Sequence, residues 1–600
     1  MLNRPLDRPL DRPLNRPLNR PLSLSLLRGR WTGLAGTFAA LCLGAAILTA
    51  SALLLTSAGP RVPARYAAVP LLVRGPGVPG EENNFAENPP WSPETTEALV
   101  RALASVPGVA AVVPYRDPGP YVSDDEAARS GDGVTRSGDG VRVIGLRTEP
   151  GADLSAVRAA AGRAVRGAGD GTARVLSGED RAEAEPAADA RTRWIGMQVL
   201  TAMALLGGFV SVFVVASTFA FRVVQRRREF GLLRVAGATP RQVRLIVYGE
   251  ALAVGVVAAV AGALLGAAVA PALGRVLVTA GFEPASFDVR LTPLPVAGAV
   301  AAGIAAGLLG AWSASGRAAR VRPLEALRDH AAGGTPMTRL RWITGVMAVA
   351  GGLALAAASA SAREDSLVNA VLVAAMALIM GLTLLAPVTL PPLVRAFAWP
   401  ISRAAVGMLA GRNALAAVRR TAATAAPVLL TVGFTVLVTG MVRTTAAAYA
   451  MGSPAADQAE EDRLVWLFTL LLVGVSAGYS GLAIVNTQVM AASARVREFA
   501  VLRLSGATRR QVIGATAAEA VLVTGIGTTL GFAVAVPALL GMRAGLSQKA
   551  GAAVPLVIPW PAVAAVVTAC LVLAAGAATL FTCGAISPRR PLFPRSGKGA

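Results

Sequence analysis

Ten runs of about 20 or more residues in this 600-residue chain are almost free of charged side chains. An apolar run of that length crosses a hydrocarbon layer about 30 Å thick as a single helix. With 54% hydrophobic and only 15% charged residues, the chain has more apolar surface than a water-soluble fold buries. The sequence therefore predicts a polytopic α-helical membrane protein. The predicted spans are 34–56, 195–221, 245–270, 293–314, 342–361, 367–390, 423–442, 464–490, 513–540 and 560–586.

Arginine is concentrated before the first span, after the second and fourth, between the sixth and seventh, and after the eighth and tenth. Cytoplasmic loops retain positive charge, so this distribution predicts an orientation in the cell membrane. We expect a multi-pass protein with both termini in the cytoplasm and the large segment 57–192 outside. The net charge of +22 is dispersed over short loops beside apolar spans, which argues against nucleic-acid binding and indicates contact with membrane lipid.

The segment 57–192 shows the mixed short patterns of a small α/β domain. Helices are predicted at Thr95–Val106 and Leu154–Val165, and strands at Val109–Val113 and Val141–Ile144. A Pro107-Gly108 turn follows the first helix. Asp132 and Asp139 lie in a doubled Ser-Gly-Asp-Gly-Val sequence, which predicts a flexible loop; two acidic residues are too few for a calcium site.

The predicted organisation has eight parts. They are a disordered basic leader at 1–32 with a repeated Arg-Pro-Leu sequence, the first span at 33–56, the extracytoplasmic α/β domain at 57–192, a first repeated membrane unit at 193–330, linking spans five and six at 331–400, span seven with a short external loop at 401–463, a second repeated unit at 464–590, and a cytoplasmic tail at 591–600.

One charged segment occurs twice, 269 residues apart. Arg-Glu-Phe-Gly-Leu-Leu-Arg-Val-Ala-Gly-Ala-Thr-Pro-Arg-Gln-Val fills 228–243, and Arg-Glu-Phe-Ala-Val-Leu-Arg-Leu-Ser-Gly-Ala-Thr-Arg-Arg-Gln-Val fills 497–512. Both copies follow one apolar span and precede another, so the duplicated unit is a membrane unit with a charged elbow. The two linking spans keep the copies in the same orientation, as parallel repeats require.

Within each elbow, a short amphipathic helix is predicted to place Phe230, Leu233 and Val235 on one side and Glu229 and Arg234 on another. Glycine then ends this helix and threonine caps the next one. The residues that recur at matched positions are candidates for a repeated contact. They are Glu229, Phe230, Leu233, Arg234, Gly237 and Thr239 in the first copy, and Glu498, Phe499, Leu502, Arg503, Gly506 and Thr508 in the second.

The chain resembles the FtsX-like, MacB-type permeases of ABC transporters in its elbows and their flanking spans. Two further sequences carry the resemblance: Arg-Val-Arg-Pro-Leu-Glu-Ala-Leu-Arg at 320–328, and Arg412-Asn413 with Arg419-Arg420-Thr421-Ala422. The resemblance covers about half of the chain, at 195–330 and 464–590. It implies that each elbow is a coupling helix seated on a cytoplasmic ATPase subunit, so that one chain would cap an ATPase dimer. The second copy ends differently, with Ser587-Pro588-Arg589-Arg590, which puts equal docking of both elbows in doubt.

Glu250 and Glu519 also share an offset, about ten residues into the helix that follows each elbow. We expect both near the inner headgroups. Pairing with elbow arginines explains them most simply, and a role toward substrate or protons is the alternative.

The sequence contains no phosphate-binding Gly-x-x-x-x-Gly-Lys-Ser/Thr loop and no catalytic set. We therefore expect no enzyme activity in this chain, no directly bound cofactor, and ATP supplied through the partner subunit. The favoured function is export or extraction of an amphipathic substrate, with motion transmitted through the elbows to the external domain. One alternative is signalling to an extracytoplasmic cell-wall enzyme. A secondary transporter is disfavoured because no ionisable residue is predicted deep in a span.

Overall fold

The computed structural model describes residues 31–79, 86–87, 89–116, 140–168, 172–319, 337–362, 364–449, 458–493 and 495–585. The predictions for the leader at 1–30, for Asp132 and Asp139, for 320–328 and for 587–590 lie outside the described residues.

Long helices dominate the described residues. Nine of them are long and apolar enough to cross a membrane, and each coincides with a predicted span. The long helices are α1 (Trp31–Ser57), α4 (Ala187–Gln225), α6 (Pro240–Thr279), α7 (Pro293–Ala319), α8 (Arg339–Ala358), α9 (Glu364–Ala398), α11 (Val418–Tyr449), α12 (Gln458–Ser493), α14 (Arg509–Ala550) and α15 (Trp560–Ala585). The shorter ones are α2 (Pro93–Ala104), α3 (Leu154–Gly167), α5 (Arg227–Val235), α10 (Ala405–Ala416) and α13 (Val496–Leu504).

The predicted eighth span, 464–490, lies within α12, a helix of 36 residues. Part of its side chains lie outside the described residues, and it is not among the nine. The helices also run past the apolar spans. Helices α6 and α14 contain 40 and 42 residues, about 60 Å at 1.5 Å per residue. Apolar composition sets where a helix enters lipid, whereas capping residues set where it ends.

A small α/β domain lies between α1 and α4 in the sequence. Its sheet has the order β4-β5-β1-β6 and is antiparallel throughout. The strands are β1 (Leu71–Arg74), β4 (Val109–Arg116), β5 (Val141–Thr148) and β6 (Arg174–Ser177); β2 (Val78–Pro79) and β3 (Ala86–Glu87) form a separate pair. The two predicted helices and two predicted strands are confirmed, and Gly108 makes the predicted turn with φ +85°.

The sequence analysis missed β1 and β6. Each has only four residues, and β1 is buried on both faces, so neither shows the alternating pattern of a half-buried strand. Leu71 and Val73 face the core beneath α2 and α3. Leu72, between them, faces a second cluster with Tyr66 and Leu176. The strand that organises the sheet is therefore the one with the weakest sequence signal.

The chain forms two compact units. The first is Met1–Thr49 with Leu205–Gly266 and Ala297–Ala600, and contains most of the long helices. The second is Ala50–Ala204 with Ala267–Val296, and contains the α/β domain.

Within the first unit, helices of the first half contact helices of the second half. The Tyr479 hydroxyl of α12 donates a hydrogen bond to the Ala40 carbonyl of α1, at 3.0 Å. The rings of Phe209 in α4 and Phe434 in α11 meet edge to face at 6.1 Å. The linking helices α8 and α9 pack on each other and on α14, so they belong with the second half.

Four glycines of α14 form a seat for helices α8, α9 and α10. A Cβ at Gly541 would overlap the Ala356 carbonyl of α8, and one at Gly545 would lie 2.9 Å from the Ser359 carbonyl oxygen. A Cβ at Gly525 would meet the Phe397 ring of α9 at 3.0 Å, and Gly514 faces α10. The positions 269 residues earlier hold Leu245, Val256, Ala272 and Val276, all exposed on α6. Because bulky residues replace glycine, α6 offers no equivalent seat.

The second unit contains a buried carboxylate. Glu283, in the loop between α6 and α7, is 2% exposed, and neither of its oxygens has a hydrogen-bond partner among the described residues. A Cβ at Gly196 of α4 would overlap this carboxylate, so glycine makes the space for it. Burial raises the pKa of Glu283 to about 7, while the positive charges of Arg193 and Arg61 oppose the rise.

We predict that Gly541→Val destabilises the chain by about 1–3 kcal/mol, because the added atoms must push α8 away from α14. The matched control is Ala272→Val in α6, where the side chain is exposed and should be tolerated. Equilibrium unfolding in mixed micelles measures both variants. Equal effects of the two substitutions would contradict a seat specific to α14.

Glu283 also predicts a pH dependence. Its folded pKa of about 7 lies above its ordinary value of 4.5, so its contribution to stability is complete below about pH 4.5 and is lost as pH rises through 7. The Glu283→Gln side chain stays neutral at every pH. The thermal midpoint of this variant, relative to that of the unsubstituted chain, should therefore increase as pH rises from 4.5 to 8. Asp288→Asn, at an exposed carboxylate in the same loop, should give no such gain. A midpoint difference for Glu283→Gln that stays constant across this range would disprove the assignment.

Candidate functional site at the two elbows

The duplicated sequence folds into the same structure twice. We call residues 226–239 the first elbow and residues 495–508 the second elbow. Each contains a nine-residue helix, α5 or α13, that begins one residue after an arginine, Arg226 or Arg495. The elbow then turns directly into the next long helix, α6 or α14.

Glycine ends each elbow helix in the left-handed conformation, with φ +94° at Gly237 and +93° at Gly506. The next residue donates its N–H back to the third-last helical carbonyl: Ala238 to Leu233 at 2.9 Å, and Ala507 to Leu502 at 3.0 Å. This is a Schellman motif, and it favours glycine at the turn because most residues with a Cβ are strained in the left-handed conformation. The repeated glycines are therefore explained by backbone geometry.

A reciprocal cap starts each following helix. The Gln242 N–H donates to the Thr239 hydroxyl at 3.3 Å, and the Thr239 N–H donates to the Gln242 side-chain oxygen at 2.8 Å. Thr508 and Gln511 repeat both bonds at the same distances. The expected threonine cap is present, and the repeated glutamine is its other half. Schellman motif and cap together fix the angle between each elbow helix and the helix after it.

An aromatic ring anchors each elbow. Phe230 is 1% exposed and packs in a cluster with Val243, Val247 and Phe219, while Phe499 packs against Val512. Of the three residues predicted to share one side of the elbow helix, only Phe230 is buried. Leu233 is 39% exposed and Val235 56%. Leu502 is half-buried against Phe499, so the two elbows differ at this position.

One arginine joins each elbow to the helix that follows it. The Arg226 guanidinium binds Glu229 within the elbow, Nε to Oε2 at 2.9 Å, and Glu250 of α6. Arg495 repeats this with Glu498 at 2.8 Å and Glu519 of α14 at 2.5 Å. We call each three-residue set a clamp. Glu250 and Glu519 thus pair with arginines at the start of the elbows.

The clamp also contacts the aromatic anchor. The Arg226 and Arg495 guanidinium carbons each lie 5.3 Å from the ring centroid of Phe230 or Phe499. Burial lowers the pKa of each arginine, but the paired carboxylates outweigh this effect and raise it above its ordinary value. Both guanidinium groups are therefore fully charged, and each can serve two carboxylates through separate N–H donors.

The sequence analysis named Glu229, Glu498, Glu250 and Glu519 as candidates but not the arginines that hold them. Arg226 and Arg495 were counted only as positive charge beside a span. Their common offset of 269 residues, the same as that of Glu250 and Glu519, is the signal that could have identified them. Arg234 and Arg503 are not part of the clamps; Arg503 is exposed, and Arg234 Nη1 is buried without a partner among the described residues.

Each elbow leaves apolar side chains on its outer face. Leu232 and Val235 are exposed on the first, and Val501 and Leu504 occupy the same positions on the second. Gly237, Thr239, Gly506 and Thr508 are exposed as well. Two elbows of equal geometry therefore present similar apolar faces, each fixed from behind by an arginine and a phenylalanine.

A double-mutant cycle tests the clamp. We predict that Arg226→Ala and Glu250→Ala each destabilise the chain, with a coupling energy of about 1–3 kcal/mol, because either change leaves a partly buried charge unpaired. Equilibrium unfolding in mixed micelles provides the four free energies. Arg241→Ala, at an exposed arginine of α6, is the control and should show no coupling to Glu250→Ala. A coupling energy near zero for the clamp pair would contradict the bridge.

Comparison with known proteins places both elbows inside one family domain. The family model for the FtsX-like permease C-terminal domain matches residues 201–323 and again residues 470–587. No curated protein matches the chain at a significant level. Each matched segment contains one elbow, its clamp, most of the long helix before the elbow and all of the long helix after it. Residues 201–323 and 470–587 are therefore two FtsX-like permease domains, which supports a transmembrane ABC-type permease subunit.

Proposed function

We propose that this chain couples ATP hydrolysis by a separate cytoplasmic ATPase dimer to the export or extraction of an amphipathic substrate. The observation that carries the proposal is the pair of elbows, which share backbone geometry, clamp and exposed apolar face. A partner with two equivalent surfaces would meet the two elbows of one chain. An ATPase dimer has two such surfaces, and each elbow would be the coupling helix for one of them.

The exposed apolar faces support docking. Leu232 and Val235, or Val501 and Leu504, project from a helix whose backbone is fixed at both ends. Apolar side chains on a rigid support form good interface centres, because little conformational entropy is lost when a partner covers them. Exposed arginines lie beside both elbows, Arg241 and Arg244 at the start of α6 and Arg509 and Arg510 at the start of α14. Both elbows therefore suit an acidic rim on the partner surface.

The clamps support transmission. A push on an elbow helix reaches Glu250 or Glu519 through one guanidinium, about ten residues into the next long helix. The phenylalanine anchor carries the same displacement into the packed core of its domain. The elbow and the following helix would thus move together, which is what coupling of ATPase closure to the membrane helices requires.

The first test concerns docking. We predict that Leu232→Glu combined with Val501→Glu weakens co-purification of the ATPase about 10-fold or more, since each change places a charge in the interface. Leu291→Glu, an exposed leucine in the loop between α6 and α7, is the matched control and should leave the complex intact. The measurement is the amount of ATPase recovered with the full chain from membranes of the native host. Undiminished recovery with the double variant would overturn docking through the elbows.

The same preparation separates docking from coupling. Glu250→Gln with Glu519→Gln alters the clamps without touching the exposed faces, so the ATPase should remain bound. Its hydrolysis rate should then no longer respond to the permease. A bound ATPase with an unchanged response would show that the clamps are structural only.

A further inference from the structure

The two permease domains differ behind their elbows. In the first domain, Phe219 and Val247 are buried in the cluster around Phe230. The positions 269 residues later hold Gln488 and Thr516, which are 7% and 6% exposed. Two buried apolar side chains are thus replaced by two buried polar ones at the same place in the repeat. The Thr516 hydroxyl donates to the Ile513 carbonyl of its own helix at 2.8 Å. The buried amide of Gln488 also needs hydrogen-bond partners, so Gln488 is the residue that calls for an explanation.

The exchange opens a cavity. Behind the second elbow lies a space of about 20 Å³, open on one side and bordered by Gln488, Thr516, Thr424, Arg420 and Arg495. Glu519 and Phe499 complete its wall. A volume of this size accommodates one oxygen atom. The equivalent positions of the first domain form a packed apolar cluster.

One donor at the cavity is unused. Arg420 pairs with Glu519 through Nη2 at 3.2 Å, but its Nε is buried and has no acceptor among the described residues. Arg495 satisfies the other oxygen of Glu519. Two arginines therefore hold the single carboxylate at the cavity. The Nε–H of Arg420 remains without an acceptor among the described residues. A second anion could accept from this Nε–H without displacing Glu519.

We propose that the second permease domain binds a phosphate group in this cavity. One phosphate oxygen would enter between Gln488 and Thr516, and the remaining oxygens would stay at the open side beside Arg420. Gln488 would donate from its amide and Arg420 from its Nε, whereas the Thr516 and Thr424 hydroxyls already donate to carbonyls of their own helices. Arg420 adds a positive charge beside Glu519 to that of Arg495. The first domain cannot bind phosphate in this way, because Phe219 and Val247 fill the corresponding space.

The location favours a phospholipid as the source of the phosphate. Arg420 is the third residue of α11, and Gln488 lies five residues before the end of α12. Both are at the elbow ends of their helices, where apolar span gives way to polar sequence and lipid headgroups lie. Basic pockets between membrane helices at this depth suit anionic headgroups. Free phosphate has the same chemistry, and the experiment distinguishes the two sources.

The experiment uses the purified full chain in detergent and follows its thermal midpoint. Three probes are titrated: dioctanoyl phosphatidylglycerol, dioctanoylglycerol without phosphate, and inorganic phosphate. We expect the phosphatidylglycerol to raise the midpoint and dioctanoylglycerol to have no effect, as binding to the folded state requires. Gln488→Phe with Thr516→Val installs the residues of the first domain and should weaken the apparent affinity about 10-fold or more. Val247→Thr in the first domain is the control and should leave the shift unchanged.

Arg420→Gln provides a second variant if the filled cavity impairs folding. It retains an N–H for Glu519 but loses the Nε–H, and should also abolish the shift. A shift with inorganic phosphate that both variants abolish would support the site with free phosphate as its ligand. The proposal is overturned if no phosphate probe changes the midpoint, or if the shift is the same in the variants. In either case the cavity holds water only.

Discussion

The bridge from Arg226 or Arg495 to two carboxylates is the interaction on which the elbows depend. A helix of nine residues is too short to be stable by itself in water, so tertiary contacts must hold it. Each arginine supplies such a contact by joining a glutamate of the elbow to a glutamate of the following helix. The phenylalanine then buries one side of the elbow helix, the glycine ends it, and the threonine cap sets the angle to the next helix. Without the arginine, two carboxylates would lie near each other at the base of a buried ring.

Much of this fold could be predicted because membrane spans follow from apolar composition. Hydropathy did not predict the full length of α6 and α14, which continue past their apolar spans. The helix ends at Gly237 and Thr239 were predicted from residue type, because glycine and threonine are helix-end signals. At the elbows, duplication identified the glutamates, glycines and threonines. It did not distinguish Arg226 from its neighbours, because a run of arginines beside a span is expected for topological reasons alone. Periodicity predicted the side on which Leu233 lies but not its burial, and Leu233 is exposed.

The second permease domain differs from the first at two sets of positions, and in both the difference is in side-chain volume. Glycines at 514, 525, 541 and 545 leave room on one side of α14, where α8, α9 and α10 pack. Gln488 and Thr516 open a polar cavity on the side of the elbow. In the first domain, larger apolar residues occupy both sets of positions. Membrane helices associate through close packing and not through exclusion of water, so side-chain volume decides which helix pairs form.

Such divergence depends on the two domains being in one chain. In a symmetric dimer of identical subunits, every substitution appears on both sides of the axis, so a glycine seat or a polar cavity would occur twice. Fusion removes this restriction, because residues 201–323 and 470–587 can change independently. The clamps and caps have nevertheless kept the same partners and nearly the same distances in both domains. The elbows are thus under a constraint that the surrounding helices are not, as expected if both elbows contact two equivalent surfaces of one partner.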